Sequence, residues 1–311
     1  MSVTMNKILT NYLIICCLVF CASAQASTYT KTKYPIVLVH GIYGFDDVLG
    51  IDYFYRIPYS LSRSGAKVYV AAVSAANSSE LRGEQLLLEV QQILALTGAQ
   101  KVNLIGHSQG AQTIRYVASI RPDLVASVTS VGGVNWGTPV ADIVRNVVPE
   151  GSVSESLVET IGNGLGAILE WFSGNSGLPQ DSVAALEVLT TQGSIAFNVK
   201  YPEGIPDVYC GSGDLVAPNG VEYFSWSGGS AFTNAFDLLD GPLLATSFAF
   251  DEPNDGLVSS CSSRLGYVLK DNYRMNHADE VNQTFGIHHL FETDPITLYR
   301  KHANRLKNRG L

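Results

Sequence analysis

The chain has 311 residues, of which 46% are hydrophobic and 15% charged, and a formal net charge of −8. These fractions belong to a globular protein and exclude a disordered or coiled-coil chain. The negative balance argues against nucleic acid as the main partner, because phosphate recognition needs clustered lysine and arginine.

The first segment reads as an address. Lys7 sits in a short polar stretch, and Tyr12 to Cys21 is an apolar run too short to span a bilayer. Ala24-Gln25-Ala26 then places small residues where a signal peptidase cuts. Residues 1–26 are therefore expected to be a signal peptide and residues 27–311 one exported domain, released outside the cell by way of the periplasm. Cys16, Cys17 and Cys21 leave with the signal, so only Cys210 and Cys261 remain. Two cysteines in an exported chain read as one disulfide. It closes a loop of about 50 residues and stabilises by roughly 4 kcal/mol on the chain-entropy account.

Ile36-Val37-Leu38-Val39 is a continuous apolar run ending at His40-Gly41 and suits a strand buried on both faces of a parallel sheet. Val68 to Val73 reads the same way. From Glu80 to Leu96 the spacing of Leu81, Leu87, Leu88, Ile93, Leu94 and Leu96 predicts a helix. Val102 to Ile105 is the next strand, Gln112 to Ile120 a helix closed by Arg121-Pro122, and Val128 to Val131 another strand. Between Asp142 and Phe172, apolar residues recur at helical spacing (Val153, Leu157, Ile161, Leu165, Phe172), with Glu155, Glu159, Asn163 and Glu170 opposite. Gly162, Gly164 and Gly166 interrupt this amphipathic helix. Val221 to Trp226 predicts a strand, Phe248-Ala249-Phe250 a further short one, and Asp294 to Leu306 a helix packed on the sheet. Strands alternating with helices mean a mostly parallel central sheet with helices on both faces.

Chemistry enters at Gly106-His107-Ser108-Gln109-Gly110. Gly-x-Ser-x-Gly between a buried strand and a helix marks the tight turn that presents a nucleophilic serine in the α/β-hydrolase fold. Side chains at Gly106 or Gly110 would clash with the neighbouring strand and helix. An oxyanion hole needs two backbone donors: the amide of Gln109, just after the nucleophile, and that of Ile42, in the loop after the first strand. This fold runs serine, acid, histidine along the chain, which leaves His277, His288, His289 and His302 as bases. His302 reads as a surface residue among basic neighbours. His277, in a loop-like context, is preferred, with the His288-His289 pair as its rival. Asp207, Asp214, Asp237, Asp240, Asp251 and Asp255 lie in the allowed interval. Asp255 is preferred because Asn254-Asp255-Gly256 is a turn signal.

These residues resemble the secreted bacterial triacylglycerol lipases of the Pseudomonas and Proteus type. The resemblance runs from about Thr32 to the C-terminus. It is carried by Tyr34 to Gly41, Arg82-Gly83-Glu84-Gln85-Leu86, Val102 to Ser108, Asn254-Asp255-Gly256-Leu257-Val258 and Asn276 to Gln283. It implies Ser108, Asp255 and His277 as the catalytic triad, with Ile42 and Gln109 as oxyanion donors. Many relatives carry methionine or leucine at the place of Ile42, and some histidine at that of Gln109, but both roles belong to the backbone. The resemblance also implies one structural calcium, held by the side chains of Asp237 and Asp279 and the carbonyls of Gln283 and Ile287. Hard oxygen donors suit that ion. The chain between Asp237 and Asp255 is shorter than in some relatives. The amphipathic stretch 142–172 maps onto the family's lid. The implied activity is hydrolysis of acylglycerol esters at a lipid–water interface by a monomer, and some relatives need a membrane-anchored foldase. The alternatives are a carboxylesterase for short soluble esters and a non-catalytic binding module on the same scaffold.

Overall fold

The computed structural model describes residues 28–42, 47–48, 51–146, 154–171 and 178–311, so the expected signal peptide lies outside the described residues. Strands β1 (Ile36–Val39), β2 (Val68–Val70), β3 (Val102–His107), β4 (Val125–Val131), β5 (Glu222–Gly228) and β6 (Tyr267–Tyr273) form one six-stranded sheet. Its order is β2-β1-β3-β4-β5-β6, and every adjacent pair is parallel. A two-residue-per-strand hairpin, Asp47–Val48 with Ile51–Asp52, stands apart.

The apolar runs read as strands because both of their faces are covered. Along β1, Ile36 and Leu38 join a cluster with Phe54, Ile57, Leu61, Trp226 and Tyr299, beneath α1 (Ile57–Ser62) and the terminal helix. Val37 and Val39 point the other way, to Leu86, Val90, Ile114 and Val117 of α2 (Ser79–Thr97) and α3 (Gly110–Ile120). Alternation across the pleat therefore feeds two separate hydrophobic layers. The chain passes from β1 outward to β2, then crosses back to place β3 on the other side of β1. That reversal opens a crevice at the carboxyl ends of β1 and β3, where open parallel sheets place their ligands.

Helices α4 (Pro139–Val144), α5 (Glu155–Trp171), α6 (Ser182–Leu189) and α7 (Thr191–Lys200) follow β4, and α8 (Asp240–Ser247) follows β5. Expected stretch 142–172 resolves into the end of α4 and the whole of α5, with residues 147–153 and 172–177 outside the described residues. Helix α5 runs through all three glycines without a break. Among the described residues no helix is long and apolar enough to cross a membrane.

Two expectations are corrected. Phe248-Ala249-Phe250 is no strand: Phe248 caps α8, and the amides of Ala249 and Phe250 donate back to Thr246 and Ser247. Three apolar residues in a row carry no period, and here they extend a helical turn. His302 is buried, not on the surface. In α9 (Pro295–Asn308) it shares the inward stripe with Leu298 and Leu306, and one basic neighbour, Arg305, meets its Nδ1 at 3.0 Å. Its rings of contact are Phe224 and Trp226.

Candidate active site

The turn between β3 and α3 consists of Ser108 and Gln109. Ser108 has φ of 57°, a left-handed conformation uncommon outside glycine and a mark of stored strain at a functional turn. It is held there from both sides: its amide donates to the Val131 carbonyl (3.0 Å), and its carbonyl accepts from Ala111 (3.1 Å). The two flanking glycines are needed for close approach. A Cβ on Gly106 would lie 2.3 Å from the Gly110 carbonyl oxygen, and one on Gly110 2.3 Å from that of Val39.

Asp255 and His277 are joined twice. The His277 Nδ1 lies 2.7 Å from Asp255 Oδ2, and the His277 amide donates to the Asp255 carbonyl at 2.9 Å. The other carboxylate oxygen, Oδ1, accepts from the amides of Leu257 (2.9 Å) and Val258 (2.7 Å). This fully buried carboxylate, held by three donors, fixes the imidazole with Nε2 turned away from it. The His277 ring packs on His107, centroid to centroid 4.4 Å, one residue from Ser108. No hydrogen bond joins Ser108 Oγ to His277 among the described residues. Such bonds tighten when substrate arrives. Of the rival bases, His288 bonds to the Gly286 carbonyl and His289 to the Phe291 amide, away from Asp255. Of the rival acids, Asp207 and Asp214 line a separate groove, and Asp240 binds Thr233, Asn234 and Asn276.

Ile42 and Ser108 line one small apolar cavity of about 40 Å³, together with Val134, Leu165, Leu189 and Leu257. Leu165 comes from α5. That helix lays Ile161 and Leu165 on Val140 and Ile143 of α4, and Ile168 on Leu239 and Leu243 of the α8 region. Of the apolar stripe seen in the sequence, Leu165 lines this cavity with Ser108, and Val153 and Phe172 lie outside the described residues.

Several buried polar residues around the turn escaped the sequence reading. Arg82, fully buried on α2, donates Nη1 to Gly41 O (3.0 Å) and Gln109 Oε1 (2.6 Å), and Nη2 to His40 O (2.5 Å). One guanidinium therefore ties the loop after β1 to the residue after Ser108. Burial lowers Arg82 to about 9, and burial with the Arg82 charge lowers His40 to about 3. The readable signal was an arginine spaced four and eight residues from Leu86 and Val90 on the inner stripe. Tyr53 accepts from the Gly41 amide (3.2 Å) and meets His107 Nδ1 (2.7 Å). On the far side of His107, Glu280 Oε2 lies 3.3 Å from Nε2. Burial, then the nearby Asp255 charge, raises Glu280 well above the usual carboxylate range.

The proposed calcium residues also cluster. Asp237 and Asp279 are buried, and no cationic side chain pairs with either among the described residues. Asp279 Oδ2 accepts from Thr233 and Asn276, but its Oδ1 is buried without a hydrogen-bond partner. Thr284 Oγ1 lies 2.9 Å from Asp237 Oδ2 and 2.7 Å from the Gln283 carbonyl, one hydroxyl proton between two acceptors. Burial raises both carboxyls above their ordinary value, Asp279 further. An all-oxygen, electron-rich nest with an orphaned carboxylate oxygen fits a hard divalent cation. Ile287 follows at the end of the same turn. Cys210 and Cys261 are joined as a disulfide.

The family model described as the alpha/beta hydrolase fold matches residues 34–167. The chain is 57% identical to the triacylglycerol lipase of Vibrio cholerae, over 99% of this chain and 100% of that one. It is 43% identical to the triacylglycerol lipase of Pseudomonas fragi, covering 90% of this chain and 98% of that one. The crystal structure of a Staphylococcus hyicus lipase superposes with a TM-score of 0.58 at 18% identity, over 92% and 98% of the two chains, a likeness of fold.

Proposed function

This chain belongs to the triacylglycerol lipases of the α/β-hydrolase fold, and from that membership we propose that it hydrolyses acylglycerol esters through a covalent acyl-enzyme on Ser108. The observation that carries the proposal is Ser108 strained on the β3–α3 turn, beside a buried His277–Asp255 pair and beneath an apolar roof. Ser108 Oγ attacks the ester carbonyl while His277 Nε2 takes its proton. Asp255 holds the tautomer and stabilises the imidazolium that forms. The developing oxyanion is met by the amides of Ile42 and Gln109, on the two segments that Arg82 ties together. His277 returns its proton to the leaving alcohol, and water then resolves the acyl-enzyme by the same steps.

Ser108→Ala tests this directly. Hydrolysis of emulsified triolein and labelling by a fluorophosphonate are both expected to vanish, about a million-fold down in turnover, with the unfolding midpoint unchanged. Retained hydrolysis in a folded variant defeats the assignment. Leu165 of α5 lines the small cavity at Ser108, and on the acylglycerol reading α5 acts as a lid that leaves its seat to admit a long acyl chain. A chain-length series of esters separates it from a short-ester carboxylesterase: rates rising with acyl length support the lipase.

Asp237, Asp279 and the carbonyls of Gln283 and Ile287 would hold the calcium. When bound it supplies charge neutralisation for two buried acids and pins the turn two residues beyond His277. Residues 1–26 direct export, so that the enzyme works as a monomer outside the cell. Refolding the denatured mature chain alone decides the role of a membrane-anchored foldase: full recovery of activity excludes the requirement.

A further inference from the structure

Strands β3, β5 and β6 run parallel, so the segments that follow them emerge at the edge of the sheet that carries Ser108. The segments after β5 and β6 are fastened to each other: Asn234 Nδ2 donates to the His288 carbonyl at 3.0 Å, and Thr284 Oγ1 to Asp237 at 2.9 Å. They present Phe236, Leu238, Phe285, Leu290 and Phe291 outward, each between 62% and 88% exposed. Soluble monomers seldom leave so many large apolar side chains together without a partner. Phe285 is turned out by a backbone in the left-handed region (φ 61°), between Thr284 (52°) and Gly286 (81°), a cost that a bulky residue bears only where the surrounding structure imposes it.

Charge identifies the occupant. From Gly229 to Phe250 the only ionisable residues are Asp237 and Asp240, and both are buried. From Thr284 to Phe291 there are only two histidines. The chain as a whole carries −8, which repels it from anionic surfaces. We propose that Phe236, Leu238, Phe285, Leu290 and Phe291 form a fixed anchor that seats the molecule on a neutral or zwitterionic lipid surface, independently of α5. The proposal rests on the acylglycerol-hydrolase reading and adds where the enzyme touches the substrate phase. The anchor sits on loops rather than on the roof, so it engages lipid while the roof is shut. Adsorption then precedes exposure of Ser108.

The test is cosedimentation of the full mature protein with phosphatidylcholine vesicles. The variant Phe236→Ser/Leu290→Ser/Phe291→Ser is expected to lose roughly tenfold or more in partition. Its kcat/KM on p-nitrophenyl acetate in solution and its unfolding midpoint are expected to stay unchanged. Leu96→Ser, which removes an equally exposed apolar side chain (81%) at the opposite edge, is expected to leave partition unaltered. Undiminished partition of the triple variant overturns the anchor, and so does an equal loss with Leu96→Ser. If the triple variant fails to fold, Phe236→Ser and Phe291→Ser separately are each expected to lower partition about threefold or more, and no loss in either overturns the proposal. A wild-type dimer in light scattering that the variant dissolves assigns the patch to a second copy and overturns the lipid occupant. A wild type that partitions through this patch yet hydrolyses no triolein defeats the lipase reading and leaves the anchor standing.

Discussion

Arg82 shows how much of the site depends on one side chain that touches no substrate. Its Nη1 and Nη2 groups satisfy two loop carbonyls and the Gln109 amide oxygen in a region closed to water. Arg82→Met keeps the volume but leaves those acceptors unpaired. The expected cost is about 2–5 kcal/mol in stability and ten- to a hundredfold in kcat, with KM for a soluble ester little changed, measured by denaturant unfolding and steady-state rates. His302 sets an acid limit. Arg305 donates toward its Nδ1 (3.0 Å), so Nε2–H is the donor to Thr129 Oγ1 (2.8 Å) and the ring is neutral. Burial, then the Arg305 charge, holds it well below the ordinary histidine value. The folded ring therefore refuses a proton that the unfolded chain accepts near pH 6.5. Stability is full above that pH and falls as pH drops through it. His302→Gln is expected to flatten part of this acid limb in pH-dependent melts. An unchanged limb would mean that His302 titrates alike in both states.

At the scale of elements, the three glycines of α5 are not equivalent. A Cβ on Gly164 would lie 2.8 Å from the Pro242 carbonyl oxygen of α8, whereas Gly162 and Gly166 face open space. Gly162→Ala and Gly166→Ala are expected to stabilise the helix by about 0.5–1 kcal/mol each. Gly164→Ala is expected to cost about 1–3 kcal/mol by forcing α5 off α8. Thermal unfolding of the three variants checks the contrast. The sequence made this helix legible through its apolar spacing but presented its glycines as interruptions, because crossing partners leave no trace in local pattern. The same limit explains the failure at Phe248-Ala249-Phe250, where α8 supplies the context, and at His302, where composition outweighed an i, i+4 stripe. The turn at Ser108 was legible because both its glycines and its flanking elements are local. Asp255 and His277 lie far apart in sequence from Ser108, and spacing alone left five other acids and a histidine pair open. Arg82 and Tyr53 were invisible as supports because their partners, backbone and side-chain atoms alike, lie on segments distant in sequence.

For the whole molecule, the two apolar layers explain why the fold was readable: the central strands β1, β3, β4 and β5 are buried on both faces, the edge strands β2 and β6 only in part, and in β1 that burial writes itself as continuous isoleucine, valine and leucine. The fastenings of the C-terminal loops were read from chemistry instead. Cys210 and Cys261, 51 residues apart, bridge the segment before β5 to the one just past Asp255. Replacing both by serine is expected to cost about 2–5 kcal/mol, read as a lower unfolding midpoint under non-reducing conditions only. Removal of calcium by excess chelator is expected to lower the midpoint and the activity together, and added calcium to restore both. No change after verified metal removal counts against the ion.

The distribution of the site along the sheet has a consequence for synthesis. From β3 onward each new strand is laid beside the last, through β4 and β5 to β6. The strand that ends at Ser108 can find its neighbours while the ribosome is still at work, but the proposed acid and base, Asp255 and His277, lie on loops made only in the last fifth or so of the chain. A growing chain is therefore inert toward esters until its final portion emerges. The cell that makes it handles, for most of its manufacture, a chain whose proposed catalytic set is incomplete.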